Sequence, residues 1–161
     1  MRICFVCLGN ICRSPTAEGI MTHLVGERGL ADRIEIDSAG TGDYQIGKPP
    51  DTRAVAEARA RGVDLQGQAR QIRSSDFEAF DLLVAMDGRN LADLQRLAPE
   101  HLRERVVLLR SFDPASSGLD GHAIDVPDPY MGRANGFATV YDLIEAACRG
   151  LLDHIVATEL A

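Results

Sequence analysis

Arg2-Ile3-Cys4-Phe5-Val6-Cys7-Leu8-Gly9-Asn10-Ile11-Cys12-Arg13-Ser14-Pro15 decides how the rest of the chain is read. The apolar run 2–7 predicts a buried β-strand, and the segment from Pro15 predicts a helix. Between them lies a short loop with Cys7 at its start and Arg13 at its end. A strand-loop-helix unit aims backbone N–H groups at whatever sits in the loop. An arginine at the helix start adds a planar, two-toothed grip on a tetrahedral oxyanion. Gly9 and Asn10 supply the backbone freedom that a tight anion-wrapping loop needs. The combination implies displacement at phosphorus by a thiolate, because the thiolate is the nucleophilic form of cysteine. Loop amides, the helix N-terminus, Arg13 and the Ser14 hydroxyl are the features that would favour it.

Working outward, Ala17, Ile20, Met21, Leu24 and Val25 follow helical spacing, with Ser14 as the expected capping hydroxyl and Pro15 in the first turn. Residues 34–38 alternate as a strand, and the Gly- and Pro-rich stretch 39–50 predicts a loop. A helix is expected over 51–61, a strand over 81–86, and a helix over 88–98 with Leu91, Leu94 and Leu97 on one side. Residues 106–109 predict a fourth strand, and 113–135 a long loop. Phe137, Val140, Tyr141, Ile144, Cys148, Leu151, Leu152 and Ile155 mark the last helix. Strands alternating with helices imply right-handed crossovers. The expected fold is α/β and three-layered: a twisted, four-stranded parallel sheet with helices on both faces and a phosphate-binding loop after the first strand. Ligands in such sheets bind at the carboxyl ends of the strands. The loops 39–50 and 113–135 both follow strands and can line the same cleft.

The 161 residues, 45% apolar and 25% charged, fit one domain spanning 1–161. The formal net charge of −7 argues against a nucleic-acid binder. No stretch approaches the roughly 20 apolar residues of a membrane span, and no signal peptide is visible, so the expected compartment is the cytoplasm. Four cysteines, at 4, 7, 12 and 148, are too few for a disulfide scaffold. Cys4 and Cys7 sit at an odd offset on a strand and point to opposite faces, which disfavours a metal or redox pair. Cys148 falls on the buried stripe of the last helix. Histidines 23, 101, 122 and 154 lack ligand spacing and read as surface or packing residues; no metal and no cofactor is expected.

Phosphoryl transfer also needs a proton for the leaving group. In Asp125-Val126-Pro127-Asp128-Pro129-Tyr130, Asp128 is the candidate acid, its backbone restricted by two prolines. Asp125 is its local competitor, and the residues alone do not separate the two. Tyr130 offers an aromatic wall for a flat ring. Asp87 reads as the N-cap of the helix at 88–98.

Taken with Asp128-Pro129-Tyr130, the Cys7-to-Pro15 segment resembles the low molecular weight protein tyrosine phosphatase family. Asp37-Ser38-Ala39-Gly40, Gly47-Lys48-Pro49-Pro50-Asp51, Ala69-Arg70-Gln71 and Ala85-Met86-Asp87 are similar to further family segments. The resemblance implies a metal-free, two-step hydrolysis of phosphotyrosine in proteins. In it Cys7 attacks, Arg13 clamps the phosphate, Asp128 acts as acid and then base, and Ser14 assists departure of the sulfur. It implies that Leu8, Gly9, Asn10, Ile11 and Cys12 form the substrate loop and that Asn10 and Ser38 brace it. Tyr44 and Tyr130 become cleft walls, and Met131 stands where members often carry a second aromatic. A reversible Cys7–Cys12 disulfide is implied beside the plain packing role of Cys12. The expected partners are phosphotyrosine proteins, and the expected state is a monomer or weak dimer. Three rivals stand beside this reading. An arsenate reductase would need further redox cysteines, absent from 81–100. A protein-arginine phosphatase carries threonine where Ile11 stands, and a non-catalytic phosphopeptide binder would not need nucleophile, clamp and acid together.

Overall fold

The computed structural model describes residues 1–132 and 135–160. In chain order the elements are β1 (Arg2–Cys7), α1 (Arg13–Glu27), β2 (Glu35–Gly40), α2 (Thr52–Ala60), α3 (Asp76–Ala79), β3 (Leu82–Ala85), α4 (Gly88–Leu97), β4 (Val106–Leu108) and α5 (Gly136–Thr158). All strand pairings are parallel, in the order β2-β1-β3-β4. The chain leaves β1 toward β2 on one side and leaves β3 toward β4 on the other. The two connections diverge between the carboxyl ends of β1 and β3, opening the crevice where such sheets bind ligands. Cys7 ends β1, paired in register with Gly40 of β2.

Alternation along β1 builds the two layers around the sheet. Ile3, Phe5 and Cys7 join the core formed with α1, α2 and α5. Cys4 and Val6 face the other core, with Phe77, Phe80, Leu94 and Leu102. The three-layer α/β expectation therefore holds, and Cys4 and Cys7 do lie on opposite faces. The stripe on α5 is buried as expected, from Phe137 to Ile155, with Cys148 inside it.

Several local expectations change. Helix α1 starts at Arg13 with Cys12 as its N-cap and no capping side chain. Ser14 is therefore inside the first turn, and its hydroxyl turns to Cys7 instead of capping. Residues 39 and 40 extend β2 rather than opening the loop. Strand β4 stops at Leu108 because 109–112 tighten into a 3-10 turn. Two more such turns, Pro114–Ser116 and Gly121–Ile124, punctuate the long loop expected over 113–135, of which 133 and 134 lie outside the described residues. Leu94 of α4 is fully buried, but Leu97 is 55% exposed and does not share its side. The short α3 and the 3-10 segment Glu100–Arg105 carry no apolar periodicity that could have announced them.

One close approach fixes how α5 lies against the 109–112 turn. A Cβ at Gly150 would sit 1.9 Å from the carbonyl oxygen of Phe112. Backbone cannot retreat as a flexible side chain can. Gly150→Ala is expected to destabilise the fold by about 2–3 kcal/mol, the cost of overpacking a rigid contact. Urea unfolding checks this, and a loss under about 0.5 kcal/mol, the size of a neutral surface change, would refute the contact.

Candidate active site

The loop from Leu8 to Cys12 wraps back over the end of β1. Asn10 adopts φ +58°, the left-handed region. Gly9 keeps a negative φ, so of the two flexible positions only Asn10 takes the unusual conformation. Gly40 has a steric reason to be glycine: a Cβ there would lie 2.7 Å from the carbonyl oxygen of Leu8. Two donors converge on Cys7 Sγ: the backbone N–H of Asn10 at 3.3 Å and the Ser14 hydroxyl, whose oxygen lies at 3.0 Å.

The direction of these bonds follows from the groups behind them. Asn10 Nδ2 donates one hydrogen to Ser14 Oγ at 2.7 Å and the other to Ser38 Oγ at 3.0 Å. Ser38 donates its own hydrogen to Glu18 Oε2 at 2.6 Å. Asn10 Oδ1 accepts from the Arg70 N–H at 3.0 Å. Ser14, already accepting from Asn10, has its hydrogen left for Cys7 Sγ or for the Ala39 carbonyl at 3.4 Å. A chain of hydrogen bonds thus runs from the Glu18 carboxylate to the sulfur. Burial raises the pKa of Glu18, and the Ser38 hydroxyl partly offsets it.

The other cysteines differ in surroundings. Burial pushes the thiols of Cys4 and Cys148 far up, and that of Cys12 up to about 12. Burial favours the protonated thiol at all three.

Arg13 is almost completely buried, yet keeps three oxygen partners. Nη1 meets Asp87 Oδ2 at 2.6 Å and donates to the Val126 carbonyl at 3.1 Å, while Nη2 lies 3.5 Å from Asp128 Oδ2. Burial alone would lower the Arg13 pKa. Electrostatic interaction with Cys7, the Asp87 hydrogen bond and interaction with Asp128 outweigh it, so the net direction is up. The other oxygen of Asp87 accepts from the Asn90 N–H at 2.8 Å and caps α4. Asp87 is therefore the expected cap and also an unexpected partner of Arg13, a pairing across 74 residues of sequence.

Asp128 Oδ1 accepts from the Tyr130 N–H at 3.0 Å, an Asx turn closed around Pro129. This leaves Oδ2 facing Arg13. Asp125 has a different occupation: it accepts from the Gly88 N–H at 2.9 Å and lies 3.1 Å from His122 Nδ1. Only Asp128 of the two lines the cleft.

That cleft is small, about 80 Å³, below the usual size of small-molecule sites. Cys7, Leu8, Gly9, Ile11, Cys12 and Arg13 form its floor and sides. Tyr44, Gln45, Asp128 and Tyr130 also line it, with Tyr44 58% and Tyr130 43% exposed. Asn10, Ser14 and Ser38 do not line the cleft; Asn10 and Ser14 hydrogen-bond to Cys7 Sγ, and Ser38 is joined to them through Asn10. Among the described residues, no group of three or more His, Cys, Asp or Glu could hold a metal.

Sequence reading also missed Arg53. It pairs with Asp51 at 3.0 Å, donates to the Tyr130 carbonyl at 3.0 Å and lies over the rings of Tyr130 and Phe137, at 5.6 and 4.7 Å from their centroids. The Asp51 N–H donates to the Ile11 carbonyl at 2.7 Å. The start of α2 therefore ties the Cys7 loop to the Asp128–Tyr130 segment. The hydrogen bond from Arg53, stronger than the opposing burial, lowers the Asp51 pKa. Arg53→Gln is expected to slow hydrolysis of phenyl phosphate roughly fivefold, as loss of one exposed charge-assisted strap. Nitrophenyl phosphate should suffer less. Equal, negligible changes on both would show that the strap does not position Asp128.

The sequence profile described as "Low molecular weight phosphotyrosine protein phosphatase" matches residues 2–160. A low molecular weight protein-tyrosine-phosphatase of Streptomyces coelicolor is 47% identical over 152 residues, covering 94% of this chain and 91% of its own. The crystal structure of a protein tyrosine phosphatase from Entamoeba histolytica with Hepes in the active site superposes with a TM-score of 0.91 at 36% identity, covering 98% and 97% of the two chains. A Drosophila arginine phosphatase superposes with a TM-score of 0.87 at 32% identity, covering 99% and 100%. The chain belongs to the low molecular weight phosphotyrosine protein phosphatase family and is a hydrolase of that class.

Proposed function

We infer that the protein hydrolyses phosphotyrosine in proteins through a phosphocysteine at Cys7. One observation carries this reading: a sulfur flanked by two donors lies in the same small cleft as a buried guanidinium and a half-exposed carboxyl. In the first step the S–P bond forms as the bond from phosphorus to the tyrosyl oxygen breaks. Arg13 and the loop N–H groups hold the equatorial oxygens, and Asp128 gives its proton to the departing phenolate. In the second step the Asp128 carboxylate takes a proton from water, the new O–P bond forms and the thiolate leaves. The Ser14 hydroxyl stabilises that thiolate, since Asn10 already occupies its acceptor side. Asn10 and Ser38 act as braces, and Tyr44 and Tyr130 as walls for the phenyl ring.

The branched apolar side chain of Ile11 and the two tyrosines favour an aromatic ester over a phosphoguanidine. The same reading places the enzyme in the cytoplasm as a monomer or weak dimer. Its four cysteines are all unpaired, which fits a reducing compartment. Among the described residues no helix is long and apolar enough to cross a membrane. The test is a panel of phosphotyrosine, phosphoserine and phosphoarginine substrates at equal concentration. Phosphotyrosine should be hydrolysed fastest, and a higher rate on phosphoarginine would overturn the assignment.

A further inference from the structure

The cleft at Cys7 does not end at its rim. Leu8 also lines a shallow depression with Thr41, Gly42, Asp93, Arg96 and Leu97. Asp93 and Arg96 in turn border a broader, open basin completed by Arg89 and Arg103. The three hollows share walls, so they form one continuous track along the outer face of α4. Arg89, Asp93 and Arg96 stand at i, i+4 and i+7 and present a single helix face.

The charge on this track runs against that of the molecule. The chain carries a net charge of −7, yet three arginines face the basin against one aspartate. That aspartate, Asp93, is paired with Arg96. Arg103 donates Nε to the Gln95 carbonyl, and among the described residues neither it nor Arg89 pairs with a carboxylate. Between the basin and the cleft, the exposed side chain of Leu97 stands beside Leu8. A polyanion such as nucleic acid fits poorly, because the apolar step at Leu97 and the net negative charge both oppose it.

We propose that this track docks the substrate protein. It takes an extended segment flanking the phosphotyrosine, with an aliphatic side chain against Leu8 and Leu97 and acidic side chains over Arg89, Arg96 and Arg103. The proposal rests on the phosphotyrosine reading above and adds the class of protein that reaches the cleft. An α-helix of ten residues is about 15 Å long, which an extended strand covers in about four or five residues. The acidic residues therefore fall within about five positions of the phosphotyrosine. Such rim charges act mainly on encounter and selectivity, so they should appear in kcat/KM and weaken with salt.

The experiment compares two phosphotyrosyl peptides, each with leucine beside the phosphotyrosine and with either three glutamates or three lysines beyond it, made in both chain directions. Nitrophenyl phosphate is the third substrate. The unmodified enzyme should favour the glutamate peptide in one direction by roughly tenfold in kcat/KM at low salt, and the gap should shrink at about 0.5 M salt. Arg89→Glu with Arg103→Glu should lower the glutamate-peptide value roughly fivefold or more and leave nitrophenyl phosphate unchanged. Leu97→Lys should weaken both peptides but not nitrophenyl phosphate. Equal rates on the two peptides, or a charge-reversed enzyme that keeps its glutamate preference, would overturn the docking surface while leaving the phosphatase reading intact. Hydrolysis of nitrophenyl phosphate with neither peptide cleaved would overturn the phosphotyrosine reading itself and the docking surface with it.

Discussion

Cys7→Ser is expected to reduce turnover of aryl phosphates by roughly 10⁴-fold or more, the scale seen when a nucleophile is removed from a working constellation. The reason lies in what surrounds the sulfur. Its neighbours, the Asn10 N–H and the Ser14 hydroxyl, are hydrogen-bond donors at 3.3 and 3.0 Å. Both can donate to a thiolate, and neither can take a proton from a serine hydroxyl. Glu18, the nearest carboxylate in the hydrogen-bond chain, is separated from the sulfur by Ser38, Asn10 and Ser14. The anion grip should survive, because Arg13 is oriented by Asp87 and the Val126 carbonyl and not by Cys7. Phosphate affinity measured by calorimetry should stay within about threefold, a change of under 1 kcal/mol. Cys12→Ser is the control: burial pushes its thiol up to about 12, and its removal should leave most of the turnover in place. Residual activity above about 1% in Cys7→Ser would exceed what a site without its nucleophile supplies, and would remove Cys7 from the mechanism.

The parts of this site that were legible in the sequence are those encoded locally. Cys7, the loop and Arg13 are contiguous, and period-2 and period-3.6 patterns bracket them, so strand, loop and helix could be read together. The parallel direction of the strands follows from alternation with helices, whereas their order, β2-β1-β3-β4, does not. What was hidden depends on distance along the chain. Asp87 announces a helix cap, but nothing local says that its second oxygen meets Arg13. Arg53 sits in a polar stretch without periodicity, and its role exists only because α2 passes the Asp128–Tyr130 segment. Ser14 reads as a cap because Ser-Pro at a helix start ordinarily caps. Here Asn10 bends the loop back so that the hydroxyl meets sulfur instead. Leu97 misled because its α4 neighbour Leu94 is buried, whereas Leu97, at the helix end, lies beside Leu8 on the open track. Asp128 and Asp125 could be told apart only by the family resemblance until their geometries separated them.

Asp128→Asn is expected to cost about 10²–10³-fold in kcat on phenyl phosphate, the range for loss of a positioned general acid. Asparagine keeps the carbonyl oxygen that accepts from the Tyr130 N–H, so the Asx turn and the placement of the Tyr130 wall should persist. It loses the transferable proton and the negative charge 3.5 Å from Arg13 Nη2. The two losses have separate signatures. Without an acid, the phenolate must depart unprotonated, so the rate should fall steeply as the leaving-group pKa rises, and a nitrophenolate should be expelled far more easily than a phenolate. Without a base, water attack on the phosphocysteine slows as well, and a good leaving group should then give a burst of product followed by a slow phase as the S–P intermediate accumulates. Rapid-mix kinetics on nitrophenyl phosphate reads the burst, and a leaving-group series reads the slope. A uniform loss across the series with no burst would mean that Asp128 merely orients Arg13, and the proton would have to come from elsewhere in the cleft.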